Sequence, residues 1–343
     1  MHIGVLIEPR LPGAIDFAIA AEEAGASSLW VPEVWSYDAL TALAYLAAKT
    51  SSIRLGTFVV QLGSRTPALL ATSALSIHEL SGGRFDLGIG VSGPRVMEGW
   101  HGVRFRQPIQ TTRETIEIIR TVSRAERLEH AGEIYPLPLP DGPGRALRPM
   151  VAPAHIPIYN AAMGPNNLRL TGELADGWLA NAFIPEAAEL FMDPLREGAE
   201  RAGRSLSDLD LVAPVAVEIT AEQSTAAAAI EQHAQGYAFT IGAMGSGRNF
   251  YNDAFTRLGF GTAVTEVAAL WQSGDRDAAR QAVPHELGQL TNLIGTPAMI
   301  ADRLHRYRTT GITSLLAKLD GDYDQQLATL RQLLAIESAI DAE

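Results

Sequence analysis

The chain has 343 residues, and 27 basic against 39 acidic side chains give a formal net charge of −12, which excludes a general nucleic-acid binder, whose phosphate contacts demand a basic face. Hydrophobic residues make up 47% and charged residues 19%, the balance of a chain with a sizeable core and not of a disordered one. There is no cysteine, so disulfides, thiolate metal sites and thiol nucleophiles are ruled out.

Short β-branched runs alternate with longer helical stretches. The first strand is predicted at 3–8, and the single apolar run around it is cut by Glu8 and Arg10, too short for a signal segment. No stretch approaches 18 consecutive apolar residues. The expectation is a cytoplasmic protein with no membrane contact. A helix follows from Gly13 to Gly25, closed by the glycine that a left-handed C-terminal residue favours. Strand 28–32 leads to a helix over 37–50, and strand 53–60 to a helix over 67–80 with proline in its first turn. A glycine turn feeds a fourth strand that ends at Gly90.

The rhythm then breaks. Residues 91–155 hold a helix over 112–125, a β-ribbon near 127–137 and a Pro/Gly-rich loop. Alternation resumes with strand 156–161, helix 165–174, strand 176–180, helix 185–202 and strand 210–219. One more helix precedes a second irregular region, about 236–290. A helix over 297–309, strand 313–319 and a final helix from about Asp324 complete the chain.

Eight strand–helix repeats with two insertions result. Parallel strands with helical crossovers need cover on both faces, and eight such units close into a (β/α)8 TIM barrel. The reading is a single domain over 1–343, with excursions after strand 4 (about 91–155) and strand 7 (about 236–290). An open doubly wound sheet needs fewer strands and a second domain for the later repeats.

In such a barrel the site lies at the C-terminal strand ends, here Glu8, Glu33, 58–61, 90–94, 160–164, Asn181, Glu218 and Lys318. Both insertions hang over that rim. GIGVSG (88–93) matches a dinucleotide fingerprint, but Pro94 and GWHG follow where a helix is required. It reads instead as a glycine-rich strand end that lets a ligand approach the backbone. AAMGPNN (161–167) puts small residues before a helix that opens with Pro165 and Asn166; a phosphate can sit on such an N-terminus, and a plain helix cap is the competing account. The only lysines are Lys49 and Lys318, which excludes a P-loop, and the eight histidines contain no i, i+4 pair for a helical metal site.

The segments GTFVVQLGSRTPALLA, LSGGRFDLGIGVSGPRVMEGWHG, PIYNAAMGPNN, ELADGW and GSGRNFYND together resemble the bacterial luciferase-like superfamily. The closer likeness is to its branch of coenzyme F420-dependent (deazaflavin) oxidoreductases, and it runs from the first strand to about residue 319. This resemblance implies a ring bound at the strand ends, backed by a non-prolyl cis peptide at Phe58–Val59. Gln61 would make a polar contact to it; Val91, Ser92 and Gly93 would touch the ring edge or ribityl chain; Ala161, Ala162, Met163 and Gly164, with Asn166, would hold the phosphate. Arg65 and Arg248 are the cations nearest the site and would attract the acidic tail of F420. Seven further arginines crowd 95–127, either as a basic rim or as a solvated face. The implied cofactor is F420, with FMN as the alternative, and no metal.

The superfamily's sugar-phosphate dehydrogenases carry an Asp-His pair after strand two and a catalytic Glu after strand four. This chain has Glu33-Val34 and Gly93 there. Reduction of an activated C=C or C=N bond needs less: a hydride and one proton. Candidates for the proton are Glu8 and Glu33, as buried carboxylic acids, and His101 and Tyr251 from the two insertions. Each carboxylate has loop anchoring as its competing role, and His101 a structural one. Trp35 and Trp100 would form apolar walls. The leading reading is hydride transfer between F420 and an activated C=C or C=N bond (or an alcohol) of a small or natural-product-like substrate; an FMN-dependent monooxygenase and a non-catalytic ligand-binding barrel are the alternatives. A homodimer is expected, with the alanine-rich stretch 39–48 suited to close helix packing.

Overall fold

A computed structural model describes residues 1–243 and 249–341. Its eight barrel strands are β1 (His2–Leu6), β2 (Ser28–Val31), β3 (Arg54–Thr57), β4 (Phe85–Gly90), β5 (Ile158–Ala161), β6 (Gly177–Leu179), β7 (Asp210–Ile219) and β8 (Ser314–Leu319). Each pairs in parallel with the next, and β8 pairs with both β7 and β1, so the sheet closes on itself. A further short strand, Leu293–Gly295, extends β7 at its C-terminal end. The architecture is a (β/α)8 TIM barrel. Among the described residues no helix is long and apolar enough to cross a membrane.

The barrel helices are α1 (Ala14–Ala24), α2 (Ala39–Ala47), α3 (Pro67–Leu80), α4 (Pro108–Ser123), α5 (Pro165–Leu174), α6 (Glu189–Arg201), α7 (Pro297–Thr309) and α8 (Tyr323–Asp341). Their ends follow local chemistry. Gly25 closes α1 at φ 95°, and Thr66 caps α3 by accepting from Leu69 N while Pro67 takes the first turn.

Period-two alternation along the strands sorts two cores. Val5, Leu29, Leu55, Leu87, Ile158 and Leu315 face the helices. Trp30, Tyr159, Leu179, Val212 and Leu316 fill the barrel interior. Trp30 stands edge-to-face on Tyr159 with ring centroids 5.1 Å apart, and it fits because position 56 is glycine: a Cβ there would lie 2.4 Å from the indole. Below this layer the barrel base is polar. Arg54 binds the buried carboxylate of Asp86, and Asp210 accepts from the Tyr159 hydroxyl at 2.9 Å and from Ser314 at 3.1 Å. Burial, with Asp210 and Asp176 nearby, pushes Asp86 up to about 6.

Three expectations need correction. Strand 53–60 is not continuous: β3 stops at Thr57, the Phe58–Val59 peptide is cis, and Val60–Gln61 resumes pairing with β4. The stretch after Gly93 does open a helix, Pro94–Gly99, but only six residues long and on a strand inside a closed barrel. The region 236–290 is largely helical, not irregular. The helix Gln223–Gly242 is followed by short helices broken at Gly259 (φ 96°) and Gly274 (φ 95°). Phe255, Val264, Val267 and Leu287 of this excursion bury together against Ala182 and Ile184, at the C-terminal end of β6.

Candidate active site

A cavity of about 1430 Å3 opens at the C-terminal ends of the strands, roofed by both excursions. Its floor is made by Phe58 and Val59 on one side and Gly90 on the other. A Cβ at Gly90 would lie 2.7 Å from Val59 Cγ2 and 3.5 Å from Ala161 Cβ, so glycine there keeps the floor open to a flat ligand. Past it the chain turns through Val91, Ser92 and Gly93, all cavity-lining, with Ser92 left-handed at φ 58°. Gln61, buried, lines the same space, and its Oε1 accepts from His101 Nε2 at 2.7 Å.

On the β5 side, Ala161, Ala162 and Met163 lead into the N-terminus of α5. Gly164 occupies the cap position at φ −85°, ψ 147°, and no side chain caps the helix. A Cβ at Gly164 would meet nothing within 4 Å. The exposed N–H end and its positive dipole therefore face open cavity. Arg257, from the second excursion, donates to the Met163 carbonyl at 2.5 Å, lies over the Phe191 ring and lines the same space. Burial lowers its pKa from the ordinary value, yet a guanidinium stays charged. Asp253, also in the lining, opposes that shift by its charge. An uncapped helix end beside a half-buried arginine fits the phosphate of a bound cofactor.

The proton-donor candidates separate clearly. Glu33 is buried, with both oxygens held by Arg65 at 2.8 and 2.9 Å and a further bond from Ala39 N. Arg65 also binds Asp38. The two residues predicted to act on ligand thus act on each other, tying the β2–α2 loop to the β3–α3 loop, and Arg65 lies outside the cavity lining. Glu8 is at the lip and not buried: its side chain is 46% exposed and pairs with Arg10 at 2.6 Å. His101 sits behind Gln61 and does not line the cavity. Tyr251 does line it; its hydroxyl accepts from Asn181 at 2.7 Å, and burial raises its pKa, so the phenol keeps its proton.

Arg248 lies outside the described residues. The arginines of 95–127 form no basic rim on the cavity. Arg113 binds Glu173, Arg120 binds Asp176, Arg124 binds Glu126, and Arg95 and Arg127 donate to carbonyls. Trp35 is exposed at the cavity mouth, and Trp100 is exposed outside it.

A family model for luciferase-like monooxygenases matches residues 3–314. The chain belongs to the bacterial luciferase-like family. It is 39% identical over 311 residues to a Mycobacterium tuberculosis protein assigned as a coenzyme F420-dependent oxidoreductase, covering 88% of this chain and 89% of that protein. It is 28% identical over 314 residues to the 5,10-methylenetetrahydromethanopterin reductase of Archaeoglobus fulgidus, covering 87% and 86%. The fold matches the coenzyme F420-dependent tetrahydromethanopterin reductase of Methanopyrus kandleri with a TM-score of 0.77 at 23% identity, over 97% and 98% of the two chains.

Of two cations that line the cavity of this luciferase-like barrel, Arg257 and Lys318, only one was placed on the rim by the sequence. Arg257 comes from a helix whose place over β5 no local pattern reveals. Lys318 was on the rim by its position at the end of β8, but nothing in the sequence distinguished it from a surface lysine.

Proposed function

We propose that this luciferase-like protein is a coenzyme F420-dependent oxidoreductase working as a reductase, on an activated C=C or C=N bond of a small or natural-product-like substrate. The observation that carries the reductive direction is the lining itself. Val34 and Gly93 occupy the positions where resemblance to the alcohol-oxidising relatives requires a histidine and a glutamate, and among the described residues no histidine lines the cavity. The F420-dependent relatives, above all the one 39% identical, support the cofactor.

Phe58, Val59 and Gly90 to Gly93 would hold the ring, and Ala161 to Gly164, Asn166 and Arg257 the phosphate. Reduced deazaflavin supplies a hydride when bound. Tyr251 keeps a phenolic proton inside the cavity, and Gln61, positioned by His101, offers an amide to a ring or substrate carbonyl. The volume, about 1430 Å3, accommodates a tricyclic ring and a substrate together. We further propose a cytoplasmic homodimer that meets through α2 and α3, where Tyr45, Leu69 and Leu80 are exposed; a monomer mass by light scattering refutes the dimer.

Separate fluorescence titrations with F420 and FMN test the reading. Micromolar or tighter F420 binding with weak FMN binding is expected. Preference for FMN makes the protein a two-component monooxygenase, and binding of neither makes it a non-catalytic barrel.

A further inference from the structure

The inward face of β8 carries Leu316 in the barrel interior and, two residues on, Lys318, whose side chain is exposed to the cavity that it lines. Lys318 stands opposite Ala216 of β7. The β1 ladder pairs Val5 with Ala317, which brings Leu6 beside it. Both flanks are apolar. Of the charged groups on these elements, Glu8 lines the same cavity but is paired with Arg10, itself in the lining, and Glu218 of β7 is bonded to His233. Asp320 and Asp322 follow in the β8–α8 loop, and neither forms an ion pair with Lys318. Among the described residues Lys318 has no hydrogen bond or salt bridge. The lysine is exposed to the open cavity, so its ammonium is free to meet a ligand there, and desolvation by the surrounding wall lowers its hold on the proton from the ordinary lysine value. The barrel places it four strands from β4 in either direction, so it faces the Phe58, Val59 and Gly90 floor across the cavity.

We propose that Lys318 is a catalytic residue, in contact with the carbonyl oxygen or imine nitrogen that activates the reducible bond and supplying the proton to that atom. This inference rests on the reductase reading. For a conjugated carbonyl, hydride from the reduced deazaflavin bonds to the β-carbon and the π electrons move to oxygen. There an O–H bond forms as an Nζ–H bond of Lys318 breaks. The enol returns to the saturated ketone through water, and water reprotonates the amine. For C=N the hydride goes to carbon and the proton to nitrogen. The deazaflavin is oxidised and the substrate gains two hydrogens. The substrate class is a conjugated carbonyl compound or an imine, not an isolated alkene.

With two lysines in the chain, the test is direct. Reductive methylation with 13C-formaldehyde labels Lys49, Lys318 and the N-terminus, and K49R and K318R assign the NMR signals. The Lys318 signal is expected to titrate below that of Lys49 and to move when 4-nitrophenolate, an enolate mimic, is added without cofactor. K318M should weaken 4-nitrophenolate at least about tenfold, and K318R should keep it. On 2-cyclohexen-1-one and a panel of enones and imines with reduced F420, K318M should lose about 100-fold or more in kcat. K318R should stay equally slow, and F420 affinity should be unchanged in both. The proposal is overturned if the Lys318 signal titrates with that of Lys49 and ignores 4-nitrophenolate, or if K318M keeps wild-type kcat. If wild type reduces nothing in the panel, the reductase reading and with it the catalytic role fall, while the titration still decides whether Lys318 is an oxyanion site.

Discussion

Gly164→Asp should make the protein more stable and its cofactor binding weaker. Gly164 is the cap residue of α5, extended at φ −85°, ψ 147°, with no side chain bonded to the helix end. A Cβ added there meets no atom within 4 Å, and the extended backbone angles suit any residue, so an aspartate enters without backbone strain. Its carboxylate caps free N–H groups and complements the dipole, a gain of a few tenths to about 1 kcal/mol. The same carboxylate then occupies the anion position. Two unit charges about 5 Å apart repel by about 3 kcal/mol at an effective dielectric of about 20, and the open mouth of the cavity reduces this to roughly 1.5–3 kcal/mol, or about 10- to 150-fold in Kd. Fluorescence titration with F420, and with its chromophore lacking the phosphate, reads the effect beside urea unfolding. F420 should weaken, the phosphate-free chromophore should be unaffected, and Gly164→Ala should bind F420 within a factor of three or so of wild type because it adds no charge. Equal affinity of the aspartate variant for F420, in a protein stabilised as expected, would refute phosphate binding at α5.

Three further outcomes follow from the fold. Asp86 has a folded value of about 6 against 3.8 for the free group, so its contribution is fully present below pH ~4 and is lost as pH rises through ~6; the stability of D86N relative to wild type, from urea midpoints, should improve by about 1 kcal/mol between pH 5 and pH 7. Gly56→Ala puts a Cβ 2.4 Å from the Trp30 indole and should destabilise by about 1–3 kcal/mol, with a thermodynamic cycle against Trp30→Leu showing strong non-additivity; additive effects would mean the two do not touch. Glu114, held below its ordinary pKa by Gln110 and by backbone N–H groups of Glu133, Ile134 and Tyr135, anchors the ribbon His130–Ala131/Pro136–Leu137. That stability is present above pH ~4.5 and lost as the pH falls, and E114Q should cost about 1–2 kcal/mol and speed proteolysis between 127 and 148.

The periodic parts of the chain were legible because their signals are local. Helices over 67–80, 165–174 and 297–309 and the strand over 210–219 coincide with the structure, since proline at the first turn, glycine at the ends and unbroken apolar runs act within a few residues of themselves. The eight-fold repeat count then determined the barrel, and the barrel determined which strand ends form the site. Segments Phe58–Gln61, Val91–Gly93 and Ala161–Asn166 accordingly converge on one cavity. What individual charged side chains do there was decided only by the tertiary structure. Glu33 and Arg65 are 32 residues apart and each looked like a site group, yet their loops bring them into a bidentate pair; His101 turns to Gln61 across 40 residues. Arg257 reaches the Met163 carbonyl across 94 residues, and Lys318 faces inward with no hydrogen bond or ion pair among the described residues, because both strands beside it present small or apolar residues. A charge is defined by its partner, and partners separated by tens of residues are chosen by strand closure and loop packing, which no local pattern encodes.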